Sequence, residues 1–144
     1  MIYTELTKKA MLTAFGAHMT QKDKNGVPYI FHPAHVAESM TDEKTCCVAL
    51  LHDTVEDTDI TVGDIRADFG DEIADAVALL THEDGTDYFE YVRKIKENPI
   101  AAAVKLSDLR HNSDLSRLHE VTEKDVKRRK KYLTAIKILT GEAK

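Results

Sequence analysis

A chain of 144 residues with 42% apolar content can build one modest core and leaves little room for a second domain. Its formal net charge of −5 argues against a long nucleic acid as partner, because such proteins present a basic face; a small phosphorylated ligand, met by a local lysine cluster or a metal ion, is still compatible with it. The N-terminal MIYTELTKKAM has no long apolar run and no segment approaches the roughly 20 apolar residues that span a bilayer, so the expectation is a soluble, cytoplasmic protein with no membrane partner.

Apolar spacing is helical nearly throughout. Over residues 4–19, Leu6, Ala10, Leu12 or Thr13, and Ala17 share one stripe. The polar stretch TQKDKNGVPY follows, with Asn25-Gly26 and Pro28 marking a loop. His32-Pro33 opens a second helix to about Met40, Pro33 being suited to a first helical position. Residues 43–53 form a third, in which the run from Cys46 to Leu51 is apolar all round and therefore buried. The adjacent Cys46 and Cys47 are poorly placed to bridge each other and read as small core residues.

An acidic loop, DTVEDTDI, leads to Thr61, which caps a short helix ending near Phe69-Gly70, and Asp71 starts another through Leu80. After the loop HEDGTD, residues 87–97 form a more polar helix that stops before Asn98-Pro99. Ile100 to about Leu115 is a buried helix carrying Asp108. Thr122 to Asp125 resembles a helix start, and residues 123–139 form an amphipathic closing helix. No segment alternates as a strand does. The expected fold is all-α: a single compact domain, residues 1–144, of about seven or eight helices.

Chemistry concentrates at the end of the third helix. His52 and Asp53 sit side by side after an apolar run, and burying both without partners is costly. A plain helix cap would satisfy them; so would a metal ion, and imidazole plus carboxylate suits manganese, iron or zinc better than calcium or magnesium. If helical geometry continues, Glu56 lies four residues from His52 and Asp57 four from Asp53. Such crowding of like charge calls for a cation, or for acids turned to solvent. His32 follows a polar loop that can aim it into a cleft. Asp108 interrupts the apolar stretch IAAAVKLSDL, with Lys105 three residues before it and Asn112 four after; its partner is either a cation or Lys105. Seven histidines in so short a chain fit metal or acid–base chemistry. His18, His35 and His119 read as structural or exposed, with His35 a candidate partner for His32.

The segments from Gly26 to Pro33, Ala49 to Thr58, Phe69-Gly70, Val104 to Asp108 and His111-Asn112 together resemble the hydrolase domain of RelA/SpoT-type enzymes and the free-standing small alarmone hydrolases, a group within the HD-domain superfamily. The run LLHDTVEDT is highly specific to that group, and order and spacing agree over roughly residues 14–118. The resemblance implies that His32, His52, Asp53 and Asp108 bind one divalent ion, usually manganese. It implies that Glu56 and Asp57 orient and deprotonate the attacking water, and that Lys105 and Asn112 lie near the sugar and phosphates of a nucleotide. The implied reaction removes the 3′-pyrophosphate of guanosine tetra- or pentaphosphate, releasing pyrophosphate and GDP or GTP. The chain is too short to hold the synthetase domain of the long family members.

Three places depart from the pattern, one of them the group's familiar Asp-Arg-Leu-His-Asn order, which reads Asp108-Leu109-Arg110-His111-Asn112 here. Asp23 stands where members of the group carry an arginine that stacks on guanine, and His82 where a lysine is common. Lys22, Lys24, Tyr29 and Arg110 are the further candidate contacts for a phosphorylated nucleotide. Asp23 keeps two other readings in view: the same machinery acting on another nucleotide, such as the 2′-phosphate of NADPH or an adenosine-type alarmone, or a non-catalytic nucleotide sensor. A pure binder has no need of Glu56. Nothing in the sequence indicates an oligomeric state.

Overall fold

The computed structural model describes residues 1–144 and is all-α, as expected. Helix α1 (Glu5–Ala17) starts at Thr4, whose hydroxyl accepts the Thr7 N–H while the Thr7 hydroxyl accepts the Thr4 N–H, a reciprocal cap on two otherwise orphaned donors. A loop follows, closed by a single β-bridge between Lys22 and Pro28. Helix α2 (Phe31–Glu38) begins two residues earlier than His32-Pro33 suggested, making Pro33 its third residue. The first turn has no use for that missing N–H, so proline is tolerated there as well as at the first position.

Asp42 caps α3 (Glu43–Leu51) by accepting the Thr45 N–H at 2.9 Å. From Thr45 to Leu51 every residue of α3 is buried, and the helix packs against α1, α2, α6 and α8. It is the axis of a core of 26 buried residues. The segment expected as an acidic loop instead contains one helical turn, α4 (Thr54–Asp57). The Thr54 hydroxyl bonds back to the Leu51 carbonyl and the Thr58 hydroxyl to the Thr54 carbonyl, which stitches this turn to the end of α3.

Thr61 and Asp64 form the cap of α5 (Val62–Phe69). Gly70, at φ +90°, takes the chain into α6 (Asp71–Leu80), a backbone conformation closed to most L side chains. Helix α7 (Tyr88–Lys96) is capped by Asp87, and α8 (Pro99–Asn112) by Asn98, whose side chain accepts from both Ile100 and Ala101. Helix α8 ends three residues short of Leu115 because Asp114 bonds the Ser116 N–H and hydroxyl, holding Leu115–Arg117 as a 3-10 turn. Helix α9 (Glu123–Thr140) closes the fold on α7 and α8, between a Thr122/Asp125 capping box and Gly141 in the left-handed region. Eight helices have eight or more residues, at the upper end of the expected count. No helix is long and apolar enough to cross a membrane.

Candidate functional site

Helices α2, α3 and α8 pack on one another, and their junction gathers side chains far apart in the chain. His32 stands in the first turn of α2, His52 at the C-terminal end of α3, Asp53 at the start of α4, and Asp108 on the buried side of α8. His32 Nε2 lies 2.8 Å from Asp108 Oδ1 and 3.8 Å from Asp53 Oδ2. His52 Nε2 lies 3.1 Å from Asp53 Oδ2 and 3.5 Å from Asp108 Oδ1.

His52 points its other nitrogen, Nδ1, at the Ala49 carbonyl. A carbonyl only accepts, so Nδ1 carries a proton and the neutral ring offers its lone pair at Nε2. That Nε2 is buried and has no hydrogen-bond partner, which is costly unless something else satisfies it. Burial alone would lower the His52 pKa, but Asp53 and Asp108 outweigh it and hold the ring well above the ordinary histidine range. Proton and cation compete for the same nitrogen.

The two carboxylates are ionised despite their burial. Burial opposes ionisation of Asp53, yet His52 and then His32 bring its pKa down to about 2. For Asp108 burial is likewise outweighed, by Lys105, His32 and His52, and its pKa falls well below the usual carboxylate range. Each also spends oxygen lone pairs on neighbours. Tyr29 OH donates to Asp53 Oδ2 at 2.6 Å, and burial together with Asp53 pushes the phenol pKa far up, so the donor proton stays in place. Lys105 Nζ donates to Asp108 Oδ2 at 2.9 Å, and Asn112 Nδ2 to Oδ1 at 2.9 Å. Two imidazole nitrogens and two ionised carboxylates converging on one point, one nitrogen buried and unpartnered, are a donor set that fits a borderline divalent transition ion.

Glu56 and Asp57 extend the cluster toward solvent. Ligand atoms of His32, His52 and Asp53 lie within 4.8 Å of one another, as do those of Asp53, Glu56 and Asp57, so Asp53 belongs to both groups. Glu56 Oε1 accepts the His82 backbone N–H at 2.7 Å, leaving Oε2 free. Burial raises the pKa of Glu56, against the His82 hydrogen bond and with help from Asp53; burial, then Asp53, also raises that of Asp57. Gln21, bonded to His18 Nδ1, donates to the Asp57 carbonyl at 2.8 Å and ties α4 to the end of α1.

A cavity of about 360 Å³ opens beside the cluster at Tyr29, His32 and Asn112. Lys22, Lys24, Arg117 and Arg128 line it, a local surplus of cations in an acidic chain, and Tyr132 of α9 adds an aromatic wall. Of the sequence candidates for nucleotide contact, Lys22, Lys24, Tyr29 and Asn112 line this cavity. Lys24 is engaged with Asp125 at 2.9 Å and must leave it to meet a ligand. Lys105 is elsewhere: its side chain is 13% exposed, bonded to Asp108 and lying over the Tyr91 ring. Arg110 is exposed and does not line the cavity. Asp23 also lines the cavity, with Oδ1 accepting the N–H groups of Asn25 and Val27, so its carboxylate shapes the loop while adding negative charge to the wall.

Sequence reasoning passed over Arg117, Arg128, Tyr132 and the role of His111. Arg128 and Tyr132 are four residues apart on α9, a spacing that places them on one face, but only the packing of α9 shows which face looks into the cavity. His35 does not touch His32 as a partner; His111 does, with Nδ1 atoms 2.8 Å apart, and His35 lies against His111. Burial, then Arg117 and His32, lower the His111 pKa to about 4.

Residues 10–137 match the HD domain family. The chain is 36% identical over 118 residues to a guanosine-3′,5′-bis(diphosphate) 3′-pyrophosphohydrolase of Aquifex aeolicus, covering 74% of this chain and 17% of that one. It is 39% identical over 122 residues to the GTP pyrophosphokinase rsh of Brucella melitensis, covering 74% and 16%. The chain therefore spans about one sixth of the length of these curated relatives. Among solved structures it is similar to a metazoan ortholog of SpoT, described as hydrolysing ppGpp, with a TM-score of 0.73 and 27% identity over 98% of this chain and 86% of that one.

Proposed function

The chain belongs to the HD domain family, and from that premise we propose that it is a metal-dependent hydrolase of a phosphorylated nucleotide, acting on the 3′-pyrophosphate of guanosine tetra- or pentaphosphate. The observation that carries this reading is the convergence of His32 Nε2, His52 Nε2, Asp53 and Asp108, with one imidazole nitrogen buried and unpartnered. Those four side chains are the proposed ligands of one divalent ion, manganese for preference. Such an ion supplies Lewis acidity, lowering the pKa of water toward neutrality and polarising a phosphoryl oxygen.

The remaining work falls to the chain itself. Glu56, with Oε1 pinned by the His82 N–H, presents Oε2 as the acceptor of the water proton; its raised pKa brings it closer to that of a useful base at neutral pH. Asp57, one residue on, shares the orienting of that water. Lys22, Arg117 and Arg128, and Lys24 once released from Asp125, offer charge for phosphates, while Tyr29 and Asn112 border both cavity and cluster. Water adds to the 3′-phosphorus, the bond to the ribose oxygen breaks, and pyrophosphate leaves with GDP or GTP as the other product. The similarity to the Aquifex aeolicus and metazoan proteins supports the choice of substrate.

The test is to incubate purified protein and guanosine tetraphosphate with Mn²⁺ and follow pyrophosphate. Stoichiometric release of pyrophosphate and GDP is expected; no release, alongside brisk hydrolysis of another nucleotide, ends the guanosine version. Asp23 favours one second reading, the same chemistry on NADPH 2′-phosphate or an adenosine-type alarmone, because no planar cation stands at that position to stack on guanine. The same assay over a nucleotide panel, reading phosphate and pyrophosphate, separates the two.

A further inference from the structure

Resting on the cation reading above, we infer that His111 is a positioning residue for the cation site: its Nδ1 accepts the Nδ1–H of His32 and thereby keeps the His32 Nε2 lone pair turned into the cluster. The two Nδ1 atoms are 2.8 Å apart, so one proton lies between them and one nitrogen must be bare. The rings are within 10° of parallel with centroids 5.0 Å apart. Rings whose nearest atoms are so much closer than their centres meet edge to edge, which puts the N–H···N contact near the plane of both.

The two histidines of the cluster are then built alike. His52 sends its Nδ1–H to the Ala49 carbonyl and its Nε2 inward. His32 has its Nε2 inward too, 2.8 Å from Asp108 Oδ1, a contact that needs either a proton on Nε2 or a cation shared by the two atoms, and no backbone carbonyl partners its Nδ1. To serve as a ligand through Nε2, the neutral His32 ring must hold its proton on Nδ1 and find an acceptor there, and the His111 nitrogen is the group present. His111 is itself fixed. His35, one turn along α2 from His32, covers its ring face at 4.0 Å between centroids, and Arg117 donates to its backbone carbonyl at 3.0 Å. Because the acceptor is a side chain, it can be removed, which is impossible for the backbone carbonyl behind His52.

The experiment compares Mn²⁺ affinity by calorimetry in wild type, His111→Phe and His111→Asn, with melting temperatures of the metal-free proteins as a check on folding. Phenylalanine keeps a flat ring against His35 and deletes the acceptor; the asparagine amide oxygen restores an acceptor near the Nδ1 position. The expected result is a 10- to 100-fold loss of Mn²⁺ affinity in His111→Phe, largely recovered in His111→Asn. Wild-type affinity in His111→Phe overturns the inference, and so does His111→Asn binding as weakly as His111→Phe. If wild type itself binds no Mn²⁺, the cation reading fails and takes this inference with it, an outcome distinct from normal wild-type binding with an indifferent His111. Should His111→Phe not fold, ¹⁵N shifts of the zinc-loaded wild type decide: His32 protonated at Nδ1 and His111 at Nε2 supports the assignment, and the reverse pattern overturns it.

Discussion

Asp108 divides its oxygens between two tasks, and Lys105 decides how. With Oδ2 held by the ammonium, Oδ1 is left facing the imidazoles. Lys105→Met removes a buried countercharge and is expected to destabilise the metal-free protein by about 3 kcal/mol, read as a lower urea midpoint, because breaking one side of a buried pair strands the other. Glu56→Gln addresses a different step. It is isosteric and can still bond the His82 N–H, so the expected result is a 100- to 10,000-fold fall in kcat with Mn²⁺ affinity little changed; a parallel collapse of metal binding would mean that Glu56 is a ligand and not a base. At this scale the sequence was informative about residue types. His52-Asp53, the following acids and Asp108 stood out because polar groups in apolar runs need a reason. Lys105 was visible too, but whether an ammonium three residues from a carboxylate turns to it or to a ligand depends on burial, which one-dimensional spacing does not contain.

At the scale of elements, Thr61 and Thr122 announce the starts of α5 and α9, whose first N–H groups they satisfy, whereas Asn98-Pro99, legible as the stop of α7, is also the cap and first residue of α8. Asn98→Ala is expected to cost about 1 kcal/mol through lost capping of α8, the helix that carries Asp108 and Asn112, measured by chemical unfolding. Leu50→Ala, fully buried in the last turn of α3, is expected to cost about 2–5 kcal/mol. The misjudged boundaries have local causes. Helical turn α4 is a single turn held by Thr54 and Thr58 bonding to backbone, and a four-residue element has too little periodicity to read. Helix α8 stops early because Asp114 prefers its own turn.

The cap of α9 also carries a pH dependence. Lys24, then the Thr122 N–H and hydroxyl, hold Asp125 well below the usual carboxylate range in the folded chain. A depressed folded pKa means stability that is present above the unfolded value, about 3.9, and is lost as pH falls through the folded one. The melting-temperature gap between wild type and Lys24→Ala is therefore expected at pH 7 and should close in strong acid; a gap that persists there would show that Lys24 acts through packing alone.

On the scale of the whole molecule, α2, the junction of α3 with α4, and the distant α8 bring four donors to one point, and the cavity beside them borrows its far wall from α9. The all-α architecture was legible because helical periodicity runs through nearly every segment. The far wall and His111 were not, since each belongs to the site only through the way helices pack. A ligand that binds only the folded state stabilises it by mass action, so Mn²⁺ in excess should raise the melting temperature and a chelator should reverse the rise. The central claim is that His32, His52, Asp53 and Asp108 share one cation. The most direct measurement is anomalous diffraction from crystals grown with Mn²⁺: a single strong peak within coordination distance of both Nε2 atoms and both carboxylates is expected, and no peak there, or one held elsewhere, contradicts it.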